Sequence, residues 1–189
     1  MENVSSKKLF NTRELVITAF MAVILAVCSW IEIPTAVPFT LQTFAVYLSL
    51  LLLGGRNGLL SITVFELLGL AGIPVFAGFT GGVGVFLGTT GGYLVGFFFI
   101  ALIYWLAEKI PVQNKLAESI IKIAALLVGT AVCYAFGTFW FMKVYTAKTA
   151  AVDFATAISW CVTPFVLFDM LKLAAAFLIS GRIKKYAKL

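Results

Sequence analysis

The chain contains no histidine. That absence removes the commonest general base and the commonest metal ligand together, so histidine-dependent catalysis is excluded. Cysteine is scarce as well: Cys28, Cys133 and Cys161 are odd in number, far apart and set in apolar runs. A disulfide framework is therefore not expected, and the three read as small packing residues. No G-x-x-x-x-G-K-[ST] loop occurs, so ATP is not bound in a P-loop. G-x-S-x-G and any cluster with metal-ligand spacing are missing too, which leaves no catalytic residues and no metal site to name. Charge is the last scarcity. Only 12% of the 189 residues are charged, against 62% hydrophobic, and that balance excludes a soluble domain.

What is present fits a bilayer. A helix needs about 20 apolar residues to cross a hydrocarbon core of roughly 30 Å. The pattern predicts an all-α membrane protein, a single domain of six transmembrane helices over 1–189. The expected spans are Glu14 to Ile33, Pro38 to Leu53, Gly58 to Leu70, Val83 to Ala107, Ser119 to Met142 and Cys161 to Ser180. The second and third are short for a full crossing. The first apolar run continues past the length of a secretory h-region, so it is expected to stay as a helix and not be cleaved.

Lysine and arginine collect in short cytoplasmic loops, and their placement sets the orientation. Eleven of the fourteen fall on one side: Lys7, Lys8, Arg13, Arg56, Lys109, Lys115, Lys122, Arg182, Lys184, Lys185 and Lys188. Lys143 and Lys148 fall on the other, and Lys172 lies within a span. Both termini are then expected in the cytoplasm, residues 1–13 as a leading segment and 182–189 as a basic tail. The net charge of +6 sits almost wholly in these flanks, so it requires no nucleic-acid partner.

With that orientation every unusual stretch falls on the outer face. Ten of the sixteen glycines lie between Gly69 and Gly96. A helix interior loses about 1 kcal/mol per glycine relative to alanine, so the backbone itself is wanted here: for turns, for close helix packing, or for approach to a ligand. Pro74 excludes a regular helix through Ile73–Gly78, and a bent apolar segment at the membrane boundary is expected. The outer loop from Pro34 to Thr40, the residues Gln42 and Thr43 below it, and Thr163-Pro164-Phe165 at the start of the sixth span lie on the same face.

Asp169 and Lys172 follow Pro164 in the sixth span. An ionisable residue at the centre of a membrane helix costs roughly 2.5–3.5 kcal/mol on insertion scales. The i, i+3 spacing puts the two on one helix face, where each offsets part of the other's desolvation. At about 1.5 Å per residue, Asp169 lies some 7–8 Å below Pro164. The pair reads either as a lock between helices or as part of a binding site near the outer mouth. Glu66, with no cation near it in sequence, is open in the same way. Ala19, Ala22 and Ala26 make a small-residue face suited to internal packing or to docking on another membrane subunit. Trp30, Tyr93, Tyr104, Trp105, Trp140 and Trp160 read as interfacial anchors, with Trp30, Tyr93 and Trp160 near the outer face.

Together these residues describe an outward-opening pocket near the extracellular face. Its hydroxyls are Thr40, Thr43, Thr89 and Thr90, its amide is Gln42, and it holds one acid and one base, with Phe39, Phe76 and Phe79 placed to close over it. It suits a small molecule with an apolar body, a few polar edges and one negative group.

The motifs Val37-Pro38-Phe39-Thr40-Leu41-Gln42-Thr43, Gly72-Ile73-Pro74-Val75-Phe76-Ala77-Gly78, Gly91-Gly92-Tyr93-Leu94-x-Gly96 and Pro164-Phe165 with Asp169-x-x-Lys172 resemble the BioY family. Thr89 and Phe168 stand where members often carry proline and glycine. The resemblance implies the biotin-binding S component of an energy-coupling-factor (ECF) transporter in a prokaryotic cell membrane. Biotin would be the transported ligand, with no cofactor, and the partners would be a transmembrane coupling protein and two cytoplasmic ATPases. Asp169 and Lys172 would meet the ureido group, Gly91, Gly92 and Tyr93 would line the ring system, and Gln42, Thr43, Thr40, Thr90 and Phe79 would complete the ligand site. Ala19, Ala22 and Ala26 would dock on the coupling protein, and the loop between spans one and two would be a lid. Two other readings compete: a stand-alone secondary carrier for a vitamin-like solute, and a membrane enzyme acting on lipid. No convincing inverted repeat supports the first, and no nucleophile and base at one depth support the second.

Overall fold

The computed structural model describes residues 11–35, 37–149 and 151–187. Lys7, Lys8, Ala36 and Lys188 lie outside the described residues. Among the described residues, helices make up most of the chain, joined by turns and by one short hairpin.

Helix α1, Thr12–Trp30, starts where Asn11 and Glu14 form a reciprocal cap. Arg13 N–H donates to Asn11 Oδ1 at 3.4 Å, and Asn11 N–H donates to Glu14 Oε2 at 3.5 Å, so the cap satisfies backbone donors that have no partner inside the helix. Strands β1, Glu32–Ile33, and β2, Phe39–Thr40, then pair antiparallel with Glu32 opposite Thr40. This hairpin occupies the expected outer loop and was not legible from composition.

Helix α2, Gln42–Leu70, is broken at Gly54, whose φ of 78° and ψ of 171° are open to glycine alone. The chain reverses there. A Cβ placed on Gly58 would lie 3.0 Å from the Leu50 Cα, whereas positions eight apart in one straight helix are separated by about 12 Å. The break frees the Gly55 N–H, and Glu108 accepts it at 2.5 Å. The two arms, 42–53 and 55–70, correspond to the expected second and third spans.

The expected fourth span, Val83 to Ala107, is not continuous. It divides into α3, Val83–Phe86, and α4, Gly91–Ala107. A Cβ on Gly91 would lie 1.7 Å from the Phe86 carbonyl oxygen, so the chain folds sharply back on itself between the two helices. Before α3, the segment around Pro74 forms a turn with Phe76 bridged to Thr80 and a 3-10 helix at Ala77–Phe79. Helix α5, Lys115–Lys148, overruns its predicted ends, and a short α6, Phe154–Cys161, precedes α7, Thr163–Ala187. Asp153 caps α6 by accepting the Thr156 N–H at 3.1 Å. The Thr156 hydroxyl and N–H bonds hold that exposed carboxyl below its ordinary range.

Among the described residues, four helices are long and apolar enough to cross a membrane, with Gly91–Ala107 a shorter apolar helix beside them. The first arm of α2, with Leu50 and Tyr47 fully buried, is central to the core, and α2 contacts α1, α4 and α7. The broadest helix contact joins α4 to α5. Small residues set it: a Cβ on Gly96 would lie 2.4 Å from Cys133 Sγ, and one on Gly92 would lie 2.3 Å from the Trp140 Cβ. This is the close approach that small residues at four-residue spacing permit between membrane helices. All three cysteines are free and buried, as packing residues. Tyr104, expected as an interfacial anchor, is buried in the core, while Trp105 is half-buried with the Lys109 ammonium 5.0 Å from its ring centroid.

Candidate functional site

A cavity of about 270 Å³ opens between the hairpin, the first arm of α2, and helices α4, α5 and α7. One wall is apolar, built by Phe76, Val85, Leu94, Phe97 and Ile100. The rest of the lining carries the polar groups. Its centre is Asp169, 1% exposed, paired with Lys172, 8% exposed, at 2.7 Å.

The spacing on α7 brings the acid and amine to one face, and α2 and α5 complete the cluster. Thr43, in the first turn of α2, donates its hydroxyl to Asp169 Oδ1 at 2.8 Å and receives a bond from Lys172 Nζ at 3.1 Å. Tyr134 on α5 donates to Asp169 Oδ2 at 2.5 Å. Lys172 Nζ also lies 4.3 Å from the centroid of the Phe39 ring on β2. The cluster thus carries no net formal charge, and three donors hold a carboxylate that would otherwise be strongly penalised in a dry site. Beneath it, Thr130 donates to Leu126 O at 2.7 Å, so the Tyr47 hydroxyl is the donor in its 2.7 Å contact with Thr130. Tyr93 bonds Thr138 at 3.0 Å and presents its ring to the cavity.

Of the site residues expected from sequence, the wall brings together Thr40, Gln42, Thr43, Thr90, Tyr93, Asp169 and Lys172. Phe79 is elsewhere: it is largely exposed and stacks on Trp30 at 5.0 Å. Gly91 and Gly92 do not line the wall, because their faces are filled by the Phe86 backbone and by Trp140. Thr89 is likewise off the wall, and of the three phenylalanines expected to close the site only Phe76 is on it. Phe39 packs against Phe165 and Phe168 at the mouth, with ring centroids 5.5 and 4.9 Å apart.

Ala22 and Ala26, expected on a docking face, are 3% and 5% exposed and lie inside the core. Only Ala19 of the three faces outward, beside the exposed Val16, Phe20 and Val23. Glu66 is buried off the cavity, with neither carboxylate oxygen hydrogen-bonded.

Tyr134 and Thr130 are not singled out by the sequence, and Cys133 and Cys161 read there as packing residues only, yet all four reach the wall. A tyrosine in the middle of an apolar span is the signal that was there to read, since a buried phenol needs a hydrogen-bond partner.

A family model described as BioY family matches residues 3–188. The chain is 39% identical over 175 residues to "Biotin transporter BioY" of Thermotoga maritima, covering 92% of this chain and 96% of that protein. It is 38% identical over 166 residues to "Biotin transporter BioY2" of Lactococcus lactis, covering 86% of each. Among solved structures, the S-component for biotin from an ECF-type ABC transporter superposes with a TM-score of 0.75 at 28% identity, covering 92% of this chain and 91% of that one. With its long apolar helices, the chain is a multi-pass membrane protein.

Proposed function

The chain belongs to the BioY family, and from that membership we propose that it is the biotin-binding S component of an ECF-type ABC transporter. It is a transport subunit and not an enzyme. The observation that carries the reading is the buried Asp169–Lys172 pair on the wall of a cavity of about 270 Å³. That volume is just below the usual range of small-molecule pockets, roughly 300–1,000 Å³, which suits a compact bicyclic ligand.

In the proposed complex Asp169 accepts from the ureido N–H groups of biotin and Lys172 donates to the ureido oxygen or stays on Asp169. Thr43 and Tyr134 keep the carboxylate aimed while the ligand enters. Tyr93 and Phe97 flank the ring system, and the hairpin residues Val37, Pro38 and Thr40 lie at the mouth. Phe39, in contact with Lys172 and with the α7 phenylalanines, ties the hairpin to the polar cluster.

The six proposed crossings are α1, the two arms of α2, α4, α5 and α7, in a prokaryotic cell membrane with both termini cytoplasmic and the cavity mouth outside. The lysine and arginine distribution supports that orientation. The proposed partners are a transmembrane coupling protein and two ATPases. Docking on α1 would use the outward face of Val16, Ala19, Phe20 and Val23, since Ala22 and Ala26 are taken up by the core.

The test is in two parts. Mass spectrometry of the detergent-purified protein should identify biotin as the co-purifying molecule. Vesicles should then take up biotin only with the coupling protein, the ATPases and ATP. Uptake by the lone chain driven by a proton gradient would replace this reading with a secondary carrier.

A further inference from the structure

The Lys172 ammonium is buried, and the protein itself takes up its donors. Nζ donates to Asp169 Oδ1 at 2.7 Å and to Thr43 Oγ1 at 3.1 Å, which leaves one of its three N–H groups. The face of the Phe39 ring lies on the remaining side, with Nζ 4.3 Å from the ring centroid. Phe39 comes from β2, and its ring is held in turn against Phe165 and Phe168. It is not part of the lining of the cavity that Lys172 reaches. Phe39 lines instead a second cavity of about 570 Å³, together with Thr35, Tyr145, Trp160, Phe165 and Phe168, and Lys172 is not on that wall. The ring therefore stands between the ammonium and the second cavity.

Resting on the functional reading above, we propose that Phe39 is a positioning residue: the face of its ring fixes the Lys172 ammonium on Asp169, so that the amine serves as counter-ion to the acid and not as a donor to the ligand. An aromatic face attracts a cation through the ring quadrupole, and more strongly where both are withdrawn from water. An aliphatic side chain would cover the amine without holding its charge. With a weaker ring the ammonium turns toward water in either cavity, and ligand binding has to bring it back. Affinity falls by the cost of that reordering.

The experiment replaces the Phe39 side chain in the full chain with its 4-fluoro, 3,5-difluoro and 3,4,5-trifluoro forms and measures biotin affinity by isothermal titration. Fluorine drains the ring face step by step and nearly preserves its shape and apolar character, so a packing role alone would leave binding unchanged. Affinity should fall along the series, by about 10-fold for the trifluoro ring. Phe39→Tyr keeps the aromatic face and should stay within about 3-fold of wild type, whereas Phe39→Leu should lose about as much as the trifluoro ring. Should Phe39→Leu fail to fold, the fluorinated series decides by itself. A trifluoro variant that binds biotin as tightly as wild type overturns the assignment and leaves Phe39 with packing only. One that binds more tightly also overturns it, since the amine would then be a ligand donor that the ring holds back. Wild-type protein that binds no biotin would overturn the functional reading itself and this inference with it.

Discussion

Asp169 has three side-chain donors around its two oxygens, contributed by α2, α5 and α7. Such a cluster is both a helix lock and a preformed acceptor, and substitution separates the two roles. Asp169→Asn keeps the shape but removes the charge and half of the accepting capacity, leaving Lys172 buried without its counter-ion. Biotin affinity should fall by about 100-fold or more, in line with losses of 2–5 kcal/mol when one member of a buried charged pair is removed. Tyr134→Phe removes one neutral donor and should cost about 3- to 10-fold. Isothermal titration of the purified variants checks both. Affinity that survives Asp169→Asn intact would mean that the acid serves only to hold helices together.

At the scale of the element, two glycine sites have different physical duties. Gly54 makes the reversal inside α2, and its backbone angles are closed to side-chain-bearing residues. Gly54→Ala should destabilise the protein by about 1–3 kcal/mol, seen as a lower unfolding temperature in detergent. Gly96 lies where α4 meets Cys133 of α5. Gly96→Leu forces the two helices apart, and overpacking of this kind costs about 1–3 kcal/mol. Because the cavity is walled by these same helices, biotin binding should weaken in parallel with stability for Gly96→Leu. Binding that falls with no change in unfolding temperature would contradict a packing role. Of the three uses open to the glycine-rich stretch, the structure shows two: Gly72, Gly78 and Gly82 take positive φ between α2 and α3, and Gly92 and Gly96 let helices approach.

For the whole molecule, the charge distribution makes a topological prediction. In a background without the native cysteines, Lys148→Cys should react with a membrane-impermeant thiol reagent in intact cells, and Arg182→Cys only after permeabilisation. Reaction of Arg182→Cys in intact cells would reverse the orientation and move the cavity mouth to the cytoplasm.

Hydrophobic run length and the placement of lysine and arginine were enough to specify a multi-span helical membrane chain, because a bilayer demands apolar length and penalises charge. The same penalty made Asp169 and Lys172 conspicuous within their span, and the motifs around them carried the family. Sequence could not decide which faces those helices bury. Tyr134 reaches Asp169 across 35 positions and Thr43 across 126, and a one-dimensional pattern does not fix such meetings. Ala22 and Ala26 illustrate the reverse case: small-residue spacing permits a close contact without saying whether the neighbour is another subunit or the chain's own core, and here the core takes them. The resemblance sets Gly91 and Gly92 against the ring system, whereas in the structure Phe86 and Trp140 fill the space where a side chain at either position would go. Residue chemistry and membrane physics select the groups able to bind, whereas helix rotation and packing decide which of them face the same cavity.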